Sequence, residues 1–430
     1  MRTINNVVSG GTMTYESEYK DTIRSLLEEN PQIKELSYFT DLADKWMDRE
    51  KRRMAAPEIV VLGTGVPEEL IYAAGAKPYW VLGGSHVSCS WSDDLVPRDA
   101  DPVHRSILGF LQEENGADYS KSLFLIPVSC DSMRKLSFIL IRSGRKVLDI
   151  DIPPVKGDPY SLRKWERQMQ ICADAVSSHV HGKITGRSVR EARKMVNEAR
   201  QELYILEEAK RTAAEGKMTV GSSLSDAGRM FVRNTYYYTD NLPEWTGHLR
   251  ALNAELAGKD SGMHQGCTPV SEERPGILLM GSPVLFPNYK VPFLIRDIGL
   301  RIVSSVDVTS LRPDPYTEEK SLRELTDSFY LESGSAAYLC DTALRVKVLS
   351  LMQAGGIEGV VVHVLKGQIE YDFELPWFEK LFERFGVPVF RLETDYVYQD
   401  VEQIRIRMEA FSEMLRQNRL KAANRSEEIA

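Results

Sequence analysis

Apolar runs of strand length alternate with amphipathic stretches along this chain, and the alternation occurs twice. The stretch "EIVVLGTGVPEELIYAAGAKPYWVL" (58–82) opens on a continuous apolar run, breaks at a Gly-Thr-Gly turn, restarts after Pro67, stops at Gly75 and ends in a second apolar run. Continuous apolar runs mark strands buried on both faces, proline fits a helix's first turn, and glycine fits the residue just past its end. The segment therefore predicts strand, turn, helix, strand. A second unit follows, with a strand over "SLFLIPV" (122–128), a helix over "SMRKLSFILIRSG" and a strand over "KVLDIDIP" (146–153). Between residues 158 and 260 the pattern becomes long and charge-rich at helical spacing, as in "SVREARKMVNEARQELYILEEAKRTAAEG". The strand grammar then returns. "GILLMGSPVLFPNYKVPFLIRDIGLRIVSSVDV" (276–308) repeats the first unit, with Val291-Pro292 where the first has Val66-Pro67, and "GVVVHVLKGQIEYDFELPWFEKLFERFGVPVFRLETDY" (359–396) repeats the second.

Strands joined by helices build parallel sheets. The expected fold is α/β: two similar Rossmann-like or flavodoxin-like parallel-sheet domains with an intervening helical region. The pattern divides the chain into a helical cap (1–55), a first α/β domain (56–155), a helical region and linker (156–274), and a second α/β domain with a C-terminal helix (275–430). A length of 430 residues also exceeds what one ordinary core organises.

Charge and composition narrow the function. The net charge of −8 is spread along the chain without a basic block, so no nucleic-acid partner is expected. No apolar stretch approaches the ~20 residues of a membrane span, and the first residues lack the apolar core of a signal peptide, which predicts a cytoplasmic protein with no membrane partner. The five cysteines, Cys89, Cys130, Cys172, Cys267 and Cys340, are odd in number and far apart. That argues against a disulfide framework and is compatible with reduced thiols or metal ligation.

In open parallel sheets, ligands gather beyond the carboxyl ends of the strands. Cys130 closes "LIPVSCD" at such an end, facing a helix start whose partial positive charge favours thiolate, and Cys89 in "GGSHVSCSWSDD" reaches the same edge. Their separation is too loose for a zinc ribbon and acceptable for a larger soft cluster gripped from several loops. At the corresponding corner of the second half stands Gln368. Ser129, Asp131 and Arg134 either face the cleft or cap the helix, His363 belongs to an apolar run and is expected to be buried and hydrogen-bonded, and Glu68 and Glu69 meet a helix dipole. Gly63-Thr64-Gly65 is no dinucleotide fingerprint, because the third glycine is missing at the required spacing.

"VVLGTGVPEELIYAAGAKPYWVLGG", followed by Cys89 and "LIPVSCDSMRKL", resembles the catalytic (D-component) subunit of the 2-hydroxyacyl-CoA dehydratase and benzoyl-CoA reductase family, and "GVVVHVLKGQIEYDFELP" with "GVPVFRLETDY" resembles its second-half signature. The resemblance covers about residues 55 to 400. It implies a lyase of anaerobic metabolism holding an iron–sulfur cluster, 4Fe-4S in form. Such an enzyme performs one-electron, ketyl-radical chemistry on a CoA thioester, with electrons from an ATP-hydrolysing iron–sulfur activator. It also implies pairing with a paralogous subunit in a heterodimer, or with itself. Carried over residue by residue, it makes Cys89 and Cys130 cluster ligands. Where relatives place a third, this chain has Gln368. Cys340 replaces that ligand, or another group does, or the subunit is a cluster-poor partner within such a complex. Gln368 and Ser129 are then the residues expected to touch the thioester. A benzoyl-CoA reductase-like subunit, or another ATP-coupled small-molecule reductase, is the alternative enzyme. A double cluster would want six thiolates, and the chain has five cysteines.

Overall fold

The computed structural model describes residues 13–112, 117–214, 223–262, 274–313, 315–316, 320–339 and 341–429. Helices α1 (Tyr15–Glu29), α2 (Leu36–Met47) and α3 (Arg49–Arg53) lead into the first α/β half: β1 (Ile59–Leu62), α4 (Glu68–Ala73), β2 (Pro78–Val81), α5 (His86–Ser90), α6 (Pro102–Phe110), β3 (Leu123–Val128), α7 (Asp131–Arg142) and β4 (Lys146–Asp151). Four helices follow: α8 (Pro159–His179), α9 (Gly186–Ala214), α10 (Asp226–Thr235) and α11 (Leu242–Gly262). The second half holds β5 (Gly276–Gly281), α12 (Lys290–Asp297), β6 (Arg301–Val306), α13 (Leu322–Glu332), α14 (Thr342–Ala354), β7 (Gly359–Leu365), α15 (Glu370–Arg384), β8 (Val389–Thr394) and α16 (Val401–Ile429).

Each half carries a four-stranded parallel sheet, in the orders β2-β1-β3-β4 and β6-β5-β7-β8, so the second repeats the topology of the first. The expected α/β architecture of two parallel sheets is present. Strand burial follows position except at the edges β2 and β6, which are mostly buried. The inner strands β1, β3, β5 and β7 are buried at every residue, which is why they read as unbroken apolar runs, whereas the edge strands β4 and β8 are largely half-exposed or exposed.

The two halves share one core. A single apolar cluster joins Val60 and Phe124 of the first sheet, Phe231 and Trp245 of the helical region, and Ile277 and Val361 of the second sheet. The other face of the second sheet has a cluster of its own, built on Leu278, Val360, Phe378 and Phe382. Buried tryptophans keep their polar atoms bonded: Trp165 Nε1 donates to the Thr326 carbonyl at 2.8 Å and Trp245 Nε1 to Thr235 Oγ1 at 3.0 Å. The first helix is tied in as well. Glu18 is buried and accepts from Ser85 Oγ (2.6 Å) and from the His86 (2.7 Å) and Val87 (3.2 Å) N–H groups, capping α5 from outside. With its cap bonded in this way, α5 and its Cys89 have a fixed position.

Candidate functional site

Gln368 follows the last residues of β7 in a tight turn and is buried. Its Nε2 donates to both carboxylate oxygens of Asp101, at 3.2 and 3.1 Å, and its Oε1 accepts from Ser282 Oγ at 2.6 Å. Ser282 directly follows β5, and its Oγ in turn accepts from the Leu365 N–H at 2.8 Å. Gly367 makes this approach possible: its φ is +84°, and a Cβ there would come within 3.1 Å of the Asp101 nitrogen. The carboxyl edges of the two sheets are thus joined by hydrogen bonds between residues 267 positions apart in sequence.

Asp101 is buried and caps α6, accepting from the Val103 N–H at 2.8 Å. Its Oδ2 lies 2.6 Å from Nδ1 of His104, one turn further along. Nε2 of the same ring stands 3.9 Å from Cys130 Sγ. Burial alone would raise the Asp101 carboxyl, but the His104 ring, its hydrogen bond and that from Gln368 hold the group below the ordinary carboxylate range. Burial works against charge on His104 too, yet the attraction and hydrogen bond of Asp101, with the Cys130 sulfur, carry its pKa up to about 10. Cys130, half-buried at the cap position of α7, makes no side-chain capping bond, so its sulfur faces His104 rather than its own helix.

Cys89 differs. It is buried against Leu365, Tyr396 and Val103, and its thiol donates to the Ser85 and Pro102 carbonyls at 3.3 and 3.4 Å. Burial pushes this thiol well above the ordinary cysteine range. An iron–sulfur cluster needs several thiolates aimed at one common space. Here one thiol is spent on two carbonyl oxygens, the other faces an imidazole, and the Gln368 amide is bonded at both ends. Among the described residues there is no group of three or more His, Cys, Asp or Glu side chains arranged to hold a metal ion. Cys89, Cys130 and Gln368, as placed, do not by themselves supply the thiolates of a 4Fe-4S cluster. Cys340 and Cys267 lie outside the described residues, Cys172 is a buried free thiol in α8, and Ser129 is exposed beside Cys130, away from the hydrogen-bonded chain that links the sheets. Asp101 and His104, which the sequence reading passed over, carry that chain. Asp101-Pro102 has the form of a helix cap followed by a first-turn proline, and that local signal could have placed His104 on a helix beginning at the sheet edge.

Glu68 and Glu69 do begin a helix, as expected, but they also lie fully buried against Arg200 (2.8 Å to Glu69, 3.1 Å to Glu68) and Arg312 (2.6 Å to Glu68). His363 is buried as its apolar run suggested, with Nε2 2.7 Å from Thr394 Oγ1. Burial, reinforced by the nearby Lys290, depresses its pKa to about 4. The unfolded chain protonates this imidazole below about pH 6.5 while the folded chain refuses the proton, so the associated stability is complete above pH 6.5 and is lost as pH falls toward 4. The expected loss is about 3 kcal/mol between pH 7 and pH 4, read from urea midpoints. His363→Gln, which cannot titrate and still reaches Thr394, should lose correspondingly less. An equal loss in the variant would show that His363 is not the group responsible.

A narrow apolar cavity opens at the carboxyl end of the second sheet, walled by Met280, Val306, Leu344, Tyr371, Leu375 and Phe378. Over most of its length the chain is similar to known proteins of dehydratase type. A family model described as 2-hydroxyglutaryl-CoA dehydratase, D-component, matches residues 64–415, a span that takes in both sheets. YjiM of Escherichia coli (strain K12), a candidate dehydratase subunit, is 24% identical over 381 residues, covering 86% of this chain and 94% of that protein. The (R)-phenyllactyl-CoA dehydratase beta subunit of Clostridium sporogenes is 21% identical over 388 residues, covering 88% and 98%. The beta subunit of (R)-2-hydroxyglutaryl-CoA dehydratase from Acidaminococcus fermentans is 22% identical over 370 residues, covering 81% and 90%. With the matched span covering well over half its length, this chain belongs to the 2-hydroxyglutaryl-CoA dehydratase D-component family.

Proposed function

We propose that this chain is one subunit of a 2-hydroxyacyl-CoA dehydratase-type enzyme, and that within the complex it is the cluster-poor partner. The observation that carries this reading is Gln368: at the corner where the family resemblance places a thiolate, an amide is bonded to Asp101 on one side and Ser282 on the other. Cleaving that arrangement open for a ligand would strand a buried carboxylate. Relatives named as beta subunits support the view that a second chain completes the enzyme. An iron–sulfur cluster and an ATP-hydrolysing activator, where they take part, then serve the rest of the complex. The residues of this chain contribute a fixed polar edge toward the CoA thioester.

Anoxic purification of the tagged chain from its native host, with iron and acid-labile sulfide determined for each chain, tests this. The expected result is a 1:1 complex with a second chain of the same family, in which dehydration of a 2-hydroxyacyl-CoA requires both chains and the iron stays with the partner after separation. A lone chain that carries a full cluster, lost in Cys89→Ser or Cys130→Ser, would overturn the reading.

A further inference from the structure

Three described cysteines share this fold, and only one has a base beside it. Cys89 and Cys172 are buried, whereas Cys130 is half-buried with His104 Nε2 at 3.9 Å. The other nitrogen of that ring is held by Asp101 at 2.6 Å, and Asp101 is itself fixed by the Val103 N–H and the Gln368 amide. The order sulfur, imidazole, carboxylate is that of an activated nucleophile, in which the ring exchanges a proton with the attacking group and the carboxylate fixes the ring's orientation. A separation of 3.9 Å is within the looser range such pairs show before substrate is bound. Cys130 also precedes the first residue of the twelve-residue helix α7 without capping it by its side chain, so a carbonyl oxygen brought to the sulfur would lie near first-turn N–H groups that have no intrahelical partner.

We infer that Cys130, His104 and Asp101 form a nucleophilic site that exchanges acyl groups with a thioester, Cys130 being the catalytic nucleophile, His104 the acid–base, and Asp101 and Gln368 positioning residues. The choice of thioester rests on the dehydratase-type reading above; the activated thiol does not. In the step, Cys130 and His104 act as a thiolate–imidazolium pair: the proton already rests on His104 Nε2, and the Cys130 sulfur bonds to the acyl carbon. The bond from that carbon to the carrier sulfur breaks, and the leaving thiolate takes the proton back from His104. The products are S-acyl-Cys130 and a free carrier thiol, with no change in oxidation state. The site takes over, with different chemistry, the edge where the family resemblance suggested a cluster ligand.

The test uses the full chain under reducing, anoxic conditions with two probes. Iodoacetamide should alkylate Cys130 much faster than Cys89 or Cys172, and His104→Gln should slow that reaction by roughly 10²-fold or more, with Cys130→Ser abolishing it, as expected of a thiolate that loses its imidazolium partner. Hexanoyl-CoA should leave an S-acyl mass on the intact protein that maps to Cys130 and is absent from both variants. Asp101→Asn should slow both reactions at a melting temperature checked independently, and Asp101→Glu, which keeps the carboxylate, should restore part of the rate. Alkylation of Cys130 that is no faster than that of Cys89, or indifferent to His104, overturns the activated thiol. Fast alkylation without acyl transfer overturns the thioester step. Neither result bears on whether the chain pairs with a cluster-bearing subunit, which iron content and stoichiometry decide separately.

Discussion

Replacing Arg312 by alanine is expected to lower the stability of the chain by about 4 kcal/mol, because it leaves a buried carboxylate short of its partner. Arg312 lies just beyond β6 in the second half, and its Nη1 donates to Glu68 Oε1 at 2.6 Å while its Nε donates to Tyr237 Oη at 3.1 Å. The guanidinium also stacks over the rings of Tyr236 and Tyr237, 4.6 and 4.9 Å from their centroids. Glu68, on the first helix of the other half, has no solvent exposure and accepts further from Tyr236 Oη at 2.7 Å and Arg200 at 3.1 Å. Burial alone would raise the Glu68 pKa, but Arg312, then Arg200 and Tyr236, bring it down to about 2, so it is ionised throughout the working range. Taking one guanidinium away leaves that charge with Arg200, which already serves Glu69 at 2.8 Å. Arg312→Lys should recover less than half the loss, since an ammonium reproduces neither the two-pronged donation nor the stacking. Arg312→Met combined with Glu68→Gln should recover most of it by removing the stranded charge. Urea midpoints read the outcome, and a loss below about 1 kcal/mol for Arg312→Ala would mean that water or Arg200 satisfies Glu68 and that this pair does not tie the halves together.

What the sequence disclosed and what it withheld divide along the range of the interactions involved. The strand over "SLFLIPV" and the helix after it were legible because unbroken burial on both faces leaves an apolar run, and because Gly75, Gly299 and Pro67 punctuate at helix ends. The repetition of Val66-Pro67 in Val291-Pro292 foreshadowed two sheets of the same strand order. The site was legible only at its corners. Cys130 and Gln368 stand at equivalent ends of their sheets, yet the groups that join them, Asp101 and His104, come from a helix between β2 and β3 that carries no chemical motif. Nothing local tells that Gln368 meets a carboxylate from far along the chain rather than a metal, because the two alternatives differ only in tertiary surroundings. Cys89 shows the same limit. Its position after a strand suggested an edge thiol, whereas α5 turns it inward onto two carbonyl groups. Glu68 and Glu69 were legible as first-turn acids but not as members of a buried ion network, since their arginine partners are more than a hundred residues away.

Gly281→Ala is expected to cost about 4 kcal/mol, the sum of a backbone penalty and a collision that are each on the order of 1–3 kcal/mol. Gly281 ends β5 with φ +120°, a conformation that residues with a side chain rarely adopt, and a Cβ there would stand 2.1 Å from the His363 carbonyl oxygen. That oxygen belongs to β7, the central strand of the same sheet, paired with β5 on one side and β8 on the other, so it has no slack to give. The same carbonyl accepts the Ser282 N–H at 2.8 Å, and Ser282 is what holds Oε1 of Gln368. Pushing the two strands apart therefore loosens the Ser282 to Gln368 contact as well, and with it the far side of Asp101. Gly75→Ala supplies the comparison: its φ is +85° but nothing lies within 4 Å of the added carbon, so it carries the backbone penalty alone, about 1–2 kcal/mol. The difference between the two variants in urea isolates the collision. Slower alkylation of Cys130 in Gly281→Ala but not in Gly75→Ala, under conditions where both remain folded, is the expected sign that the sheet edge transmits the displacement through Gln368 and Asp101. A Gly281→Ala midpoint no lower than that of Gly75→Ala would mean that β5 and β7 can separate without cost, and that the Ser282, Gln368 and Asp101 contacts do not depend on their close approach.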